Sequence, residues 1–209
     1  ANLTPSQFVG QVLRDGLGIR KLLVGENFVF GKERSGTVQD LIELGAEADF
    51  SVEAIAPVMI GQYVVSSTRI RKCLVAGDVA QSAQCLGRPY MLRGVVISGE
   101  KRGSQFGWPT ANLRLSGNRV LPADGVYATL TMVRGQCLDS IAYIGKRPTF
   151  SDGERLLEVH IFDKTFQLYG EDISVHFIES IRGDMTFTHI EDLVRQMDHD
   201  GLRAREILQ

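Results

Sequence analysis

The stretch Gly103-Ser-Gln-Phe-Gly107-Trp-Pro109-Thr110-Ala-Asn112 brings two glycines, a proline, a hydroxyl and a carboxamide within ten positions. Glycine lets the backbone approach a ligand closely and tolerates positive φ. A turn built on Gly103 and Gly107 can therefore aim several N–H groups at phosphate oxygens. Lys101 and Arg102 stand just before it and add positive charge. Thr110 and Asn112 are hard oxygen donors, the kind that Mg²⁺ takes beside a nucleotide. Taken alone, the same residues also describe a surface loop with a turn at Trp-Pro.

A second candidate is Leu156-Leu-Glu158-Val-His160-Ile-Phe162. Strand alternation puts Leu157, Val159 and Ile161 on one side and Glu158, His160 and Phe162 on the other. A carboxylate set between large apolar neighbours at the edge of a site is a candidate general base. The competing reading is a solvated glutamate on an outer face. His160 has no metal partner at a useful spacing and reads as a structural or surface histidine. A third candidate is Ser66-Ser67-Thr68-Arg69-Ile-Arg71. Hydroxyls and arginines at a helix start favour an anion, because free N–H groups and the helix dipole both attract phosphate. The plainer reading is an ordinary cap with solvated arginines.

The elements that must position these groups fall into two kinds. Thr4-Pro5-Ser6-Gln7 is a capping box with proline at the first helical position, and Phe8, Val9, Val12 and Leu13 share one face behind it. Lys21 to Val24 reads as a buried strand, followed by the glycine-bounded, aromatic Gly25-Glu-Asn-Phe-Val-Phe-Gly31. Val38, Leu41 and Ile42 suggest a helix stopping near Gly45, and Phe50 to Ala56 another strand. This order points to part of an α/β sheet. A helix after Ser66 breaks at Gly77-Asp78, and a further helix, Val79 to Leu86, ends at Gly87-Arg88-Pro89. The domain boundary is placed there, giving residues 1–87 and 88–209.

Beyond Pro89 the strands Tyr90 to Ser98, Gly125 to Val133, Asp139 to Ile144, Leu156 to Phe162 and Asp172 to Ile181 follow one another without helices. That succession predicts a small antiparallel barrel. Thr188 with Glu191 reads as a capping box for a last helix with Ile190, Leu193, Val194 and Met197 on one face. Asp200-Gly201 is expected to cap or kink it before Arg203 to Leu208.

Composition narrows the function classes. The 23 basic and 25 acidic residues leave a net charge of −2, which argues against bulk nucleic-acid or membrane-surface binding and leaves room only for a local basic loop. No apolar run is long enough to span a bilayer, and the first residues do not form a signal peptide. Cys73, Cys85 and Cys137 are odd in number and lack zinc spacing, so free thiols in a reducing cytoplasm are expected. Neither a P-loop nor the protein-kinase motif set is present; Gly-x-Ser-x-Gly and His-Glu-x-x-His are absent too. Physical reasoning alone reaches a β-barrel domain with a nucleotide-phosphate and magnesium loop, behind part of an α/β domain.

These residues resemble a known family. Lys101-Arg-Gly103 through Gly107-Trp-Pro-Thr-Ala-Asn112 looks like the Gly-rich loop and Pro-Thr-Ala-Asn motif of flavokinases. Leu86-Gly-Arg-Pro-Tyr90, Asp124-Gly-Val-Tyr127, Ile144-Gly-Lys-Arg-Pro-Thr149 and Tyr169-Gly170 fall where that family has similar segments. Upstream, Gly25 to Gly31 and Ser66 to Arg71 resemble the adenylyltransferase half of the bacterial bifunctional riboflavin kinase/FMN adenylyltransferase family. The resemblance covers essentially the whole chain. It implies a mixed α+β architecture: a partial, Rossmann-like nucleotidyltransferase segment, then a Greek-key flavokinase barrel with a C-terminal helix.

The resemblance also implies roles. Glu158 would be the base that activates the 5′-hydroxyl of riboflavin. Thr110 and Asn112 would hold Mg²⁺ and the ATP phosphates. Gly99, Lys101, Arg102, Gly103, Ser104, Gly107 and Pro109 would complete the nucleotide site. Arg182, Met185 and Phe187 would meet the flavin, and Ser66, Ser67, Thr68 and Arg69 would be a remnant adenylyltransferase phosphate site. The reaction implied turns riboflavin and MgATP into FMN and ADP. Three departures stand out. The family's His-x-Gly-His loop is absent, as though about one hundred residues, somewhat under a typical domain, were missing ahead of Ala1. Ser104 replaces a residue that is often basic, leaving side-chain phosphate contact to Lys101 or Arg102. Tyr143 stands where a small polar residue is common. Two other readings are kept: the full bifunctional enzyme, and a flavin- or nucleotide-binding module without turnover. Neither nucleic acid nor membrane is an expected partner.

Overall fold

The structure is a computed structural model that describes residues 2–99, 103–115, 119–146, 155–164 and 166–209, with Ser104 and Lys146 described by backbone only. The chain divides into two compact units, Ala1–Val65 and Ser66–Gln209.

In the first unit Thr4 and Gln7 form the expected reciprocal cap. The Gln7 N–H donates to Thr4 Oγ1 at 3.3 Å and the Thr4 N–H donates to Gln7 Oε1 at 3.0 Å. The helix they open, α1 (Pro5–Gln7), runs on as a π-helical stretch, Phe8–Arg14, that buries Val9 and Leu13. Strands β1 (Lys21–Gly25) and β2 (Ser51–Ile55) pair in parallel, with Leu22 opposite Val52. Between them runs α2 (Val38–Glu47), started by a second reciprocal cap, Thr37 with Asp40. This is a βαβ unit, as the helix–strand alternation predicts. The helix ends at Glu47, two residues past Gly45, near where the sequence placed its stop. Gly45 is buried against Phe50 and Val52, where a side chain would be too close, and the chain turns later, at Asp49 with φ +64°. A short hairpin, β3 (Met59–Ile60) with β4 (Tyr63–Val64), has no counterpart in the sequence reading.

The second unit opens with α3 (Ser67–Val75), capped by Ser66, and α4 (Val79–Leu86), capped by Asp78 and ended by Gly87 at φ +68°. Leu74 and Val79 from these helices join the apolar cluster of the barrel. The barrel strands are β5 (Tyr90–Ile97), β6 (Ala111–Leu115), β7 (Gly125–Val133), β8 (Gln136–Lys146), β9 (Arg155–Ile161) and β10 (Asp172–Gly183). They close in the order β10-β5-β6-β9-β8-β7. Strands β7, β8 and β9 form a meander and β10 returns beside β7, which is the Greek-key order. Five of the six strands match the sequence reading within a few residues at each end. Strand β6 does not appear in that reading: it is only five residues long and starts inside the Gly-rich motif.

Alternation separates a filled interior from an outer face. Leu113, Tyr127, Ile144, Leu157, Val159 and Phe177 are buried in one cluster inside. Among them sits a dry hydroxyl group: Ser140 Oγ bridges Thr129 Oγ1 at 2.8 Å and Thr131 Oγ1 at 2.7 Å, and donates within reach of the Thr129 carbonyl at 2.9 Å. On the outer face Val126, Ala128, Ile141 and Phe162 are covered by α5 (Ile190–Leu208) through Ala204, Ile207 and Leu208. The Thr188–Glu191 cap does not form. His189, in extended backbone, occupies the capping position one residue later and makes no side-chain cap. Asp200-Gly201 neither caps nor kinks α5; both are buried contact points within a continuous helix.

The hydroxyl group yields a stability prediction. Replacing Ser140 by alanine leaves two fully buried threonine hydroxyls without their shared partner, which costs about 1–3 kcal/mol. Urea denaturation followed by circular dichroism should show a lower midpoint for Ser140→Ala at unchanged slope. An unchanged midpoint would mean the hydroxyls contribute nothing net.

Candidate active site

One cross-strand row organises the outer face. Asn112 on β6 lies opposite Glu158 on β9, Glu158 opposite Tyr143 on β8, Tyr143 opposite Val126 on β7, and Val126 opposite Arg182 on β10. Directly paired residues in a sheet point to the same face. Since Leu157, Val159 and Ile161 fill the interior, Glu158 points outward with Asn112 and Tyr143. Three positions singled out separately in the sequence, Asn112, Glu158 and Arg182, thus share one row.

The polar contacts tie that row to the Gly-rich loop. Thr110 Oγ1 donates to Glu158 Oε2 at 3.1 Å. Asn112 is 5% exposed, unusual for a carboxamide on an outer face. Gly99 accounts for part of this burial, because a Cβ there would overlap the Asn112 side chain. Thr110 and Glu158 thus meet directly, and Asn112 stands opposite Glu158 on the neighbouring strand. Among the described residues no group of three or more His, Cys, Asp or Glu could hold a metal by itself. A few protein oxygens beside a phosphate chain fit Mg²⁺, which keeps much of its shell for phosphate and water.

The loop itself is closed by its own backbone. Gly103–Phe106 forms a 3₁₀ turn, and the Trp108 N–H donates to the Gly103 carbonyl at 2.9 Å. A Cβ at Gly103 would overlap the Trp108 carbonyl oxygen, so only glycine fits. Trp108 then anchors the turn to α5. Its Nε1–H donates to Asp198 Oδ1 at 3.1 Å, and its ring reaches Gly201 so closely that a Cβ there would overlap it. His160 tilts against the indole at 4.7 Å between centroids. Its Nδ1 lies 2.8 Å from the Pro109 carbonyl, which can only accept, so Nδ1 carries the proton. Burial holds the ring's pKa below the usual histidine value, keeping it neutral at pH 7. His160 is thus a structural support of the loop.

A cavity of about 550 Å³ opens on the outer side of this support, lined by Gly107, Trp108, His160, Phe162, Leu202 and Arg205 among others. Arg205 lies over the Phe162 ring at 4.2 Å and makes a two-point ion pair with Asp163, at 2.6 and 2.8 Å. Nothing in the sequence reading singled out this cavity. Its walls come from a loop, a strand end and a helix distant in the chain. The one available signal was Phe162 falling on the same strand face as Glu158.

The remaining candidates are placed as follows. Arg182 makes a buried ion pair with Asp200, Nε to Oδ2 at 2.8 Å, and Gln196 Nε2 donates to the other Asp200 oxygen at 2.8 Å. The Arg182 guanidinium also stands 5.9 Å from the Phe187 ring centre. Met185 is exposed beside it. Ser66 caps α3 by accepting from the Arg69 N–H at 3.2 Å, and the Arg69 side chain donates to Gln81 at 3.0 Å. Lys101 and Arg102, expected to meet phosphate, lie outside the described residues, as does the Ser104 side chain. Tyr143 Oη donates to Asp184 Oδ1 at 3.0 Å. No helix among the described residues is long and apolar enough to cross a membrane.

Comparison with known proteins bears on this geometry. The riboflavin kinase family profile matches residues 86–208, and the FAD synthetase profile matches residues 1–69. A bifunctional riboflavin kinase/FMN adenylyltransferase from Pseudomonas fluorescens is 38% identical over 207 residues, covering 99% of this chain and 66% of the relative. One of the same description from Haemophilus influenzae is 36% identical over 199 residues, covering 95% and 64%. This chain therefore spans just under two thirds of the length of these relatives. A crystal structure described as a macrolide-efflux protein from Streptococcus pneumoniae superposes with a TM-score of 0.88 at 33% identity, over 98% of this chain and 66% of that one.

The Trp108–Gly201 contact can be tested directly, because Trp108 is the one tryptophan in the sequence. Gly201→Ala should push the indole out of its seat and move its fluorescence emission to longer wavelength. Emission identical to the parent's would mean that the loop is not anchored through this contact.

Proposed function

This chain belongs to the riboflavin kinase family, and from that membership we propose that it transfers the γ-phosphoryl group of ATP to the 5′-hydroxyl of riboflavin, giving FMN and ADP. The observation that carries the proposal is the meeting of Thr110, Asn112 and Glu158 on one outer-face row beside the Gly-rich loop. Phosphoryl transfer needs chiefly positioning and neutralisation of phosphate charge. In this reading the loop backbone from Gly99 to Gly107 follows the phosphates, and the cavity beside Trp108 and Phe162 takes the base of the nucleotide. Thr110 and Asn112 are the residues that would hold Mg²⁺, which supplies charge neutralisation at the phosphates when bound.

Glu158 takes the proton of the riboflavin hydroxyl as its oxygen bonds to the γ-phosphorus and the bond from phosphorus to the β-phosphate bridging oxygen breaks. Thr110 holds one oxygen of that carboxylate in place by donating to it. The flavin side is assigned to Arg182, Met185 and Phe187, with Arg182 fixed by Asp200. We divide the chain by function at residues 1–87 and 88–209. The earlier part is adenylyltransferase-like, with Ser66 to Arg69 as its phosphate-binding remnant, although α3 and α4 pack with the barrel.

Incubation with riboflavin and MgATP, with flavins separated by chromatography, should give FMN and ADP in equal amounts and no FAD. Flavin binding without ADP release would favour a non-catalytic module, and FAD in the mixture would favour the bifunctional reading. Glu158→Gln keeps the size of the side chain but removes the proton acceptor. It should lower kcat by about 10²–10⁴-fold while both substrates still bind. Wild-type kcat in that variant would rule out the base assignment. Asn112→Ala should raise the KM for MgATP more than that for riboflavin; equal effects on both would remove Asn112 from the metal and phosphate site.

A further inference from the structure

The polar residue in the central row that the proposed reaction does not use is Tyr143. It lies opposite Glu158 in the β8–β9 register, half-buried, with its ring folded along its own strand over Gly145. A Cβ at Gly145 would overlap the phenol, so glycine is what lets the ring lie flat there. From that position the hydroxyl crosses to the segment that follows β10 and donates to Asp184 Oδ1 at 3.0 Å. The same oxygen accepts the Met185 N–H at 3.0 Å. The segment is thus fastened at two points. Arg182 is tied to α5 through Asp200, and Asp184 is tied to the strand next to Glu158. Between them lies Gly183, which gives no side-chain restraint.

We infer that Tyr143 and Asp184 form a positioning pair that sets the 184–187 segment at a fixed place relative to Glu158, and so sets how riboflavin presents its hydroxyl to that carboxylate. The inference rests on the riboflavin kinase reading for its substrate; the pair itself stands on the geometry. The phenol is suited to a permanent donor role. Burial first, and the Asp184 carboxylate next, raise its pKa well above the ordinary tyrosine range, so it keeps its proton at neutral pH. A hydrogen bond to a carboxylate is among the stronger kinds. The hydrogen bond of the pair runs to the flavin side of the site, not to the Gly-rich loop. Its loss should therefore be felt by one substrate only.

The test compares KM and kcat for both substrates in Tyr143→Phe, Asp184→Ala, the double variant and Asp184→Asn. Tyr143→Phe keeps the ring and its packing and removes only the hydroxyl. It should raise the riboflavin KM roughly tenfold or more, the scale of a lost hydrogen bond to a charged group, with the MgATP KM unchanged. Asp184→Ala should match it, and the double variant should be no worse than the more affected single one. Asp184→Asn retains an acceptor oxygen without the charge and should fall between the parent and Asp184→Ala. A riboflavin KM unchanged in both single variants, or additive losses in the double variant, would overturn the pairing while leaving the kinase reading intact. A parent chain that neither binds nor phosphorylates riboflavin would overturn both. Asp184 is exposed, so its alanine variant keeps the question open to measurement even if Tyr143→Phe folds poorly.

Discussion

The short pairing of β6 with β9 is the constraint on which the site depends. Its register is three residue pairs, with Asn112 opposite Glu158 at the centre. Strand side chains alternate faces with a period of two, so a slip of one residue would send Asn112 or Glu158 into the apolar interior and bring Leu113 or Leu157 out. The interior fixes the register by demanding Leu113, Leu157 and Val159, which are almost fully buried. Burial of aliphatic side chains inside the barrel thereby determines which oxygens meet outside it. Thr110, the last residue before β6, then stands close enough to Glu158 to donate to it.

The C-terminal helix carries the second set of constraints. It meets the barrel through Asp200, whose two oxygens are taken by Arg182 and Gln196, and through Gly201, whose missing side chain admits the Trp108 ring. A buried carboxylate left without its cation is strongly destabilising, so this pair fixes where the helix lies. Two sides of the site are set by these adjacent residues of α5. Asp200 restrains Arg182, which we assign to the flavin, and Gly201 receives the tryptophan that closes the Gly-rich turn.

Much of this was legible in the sequence, for reasons that differ by element. The long strands announced themselves by β-branched runs between turn residues, and alternation set Glu158 on the face opposite Leu157 and Val159, without saying which face was the interior. The caps at Thr4 and Ser66 followed from local hydrogen-bonding chemistry. Strand β6 was hidden because it is short and its first residues carry the loop motif. The Thr188–Glu191 cap had the right spacing, but the helix starts one residue later. Gly45 and Gly201 read as helix breakers, yet both are places of close packing, which no local pattern distinguishes. Asp200 read only as part of a cap or kink, and Tyr143 only as a departure from the family pattern, because Arg182 and Asp184 lie 18 and 41 residues away from them.

The central claim is that Asn112 and Glu158 act on one reacting group because strand register sets them side by side. A double-mutant cycle measures this most directly, using kcat/KM for riboflavin phosphorylation in Asn112→Ala, Glu158→Gln and the two combined. Strong non-additivity is expected, with the double variant scarcely slower than the slower single variant. Losses that multiply in full would contradict it, since two residues working on the same transferring group should not act independently.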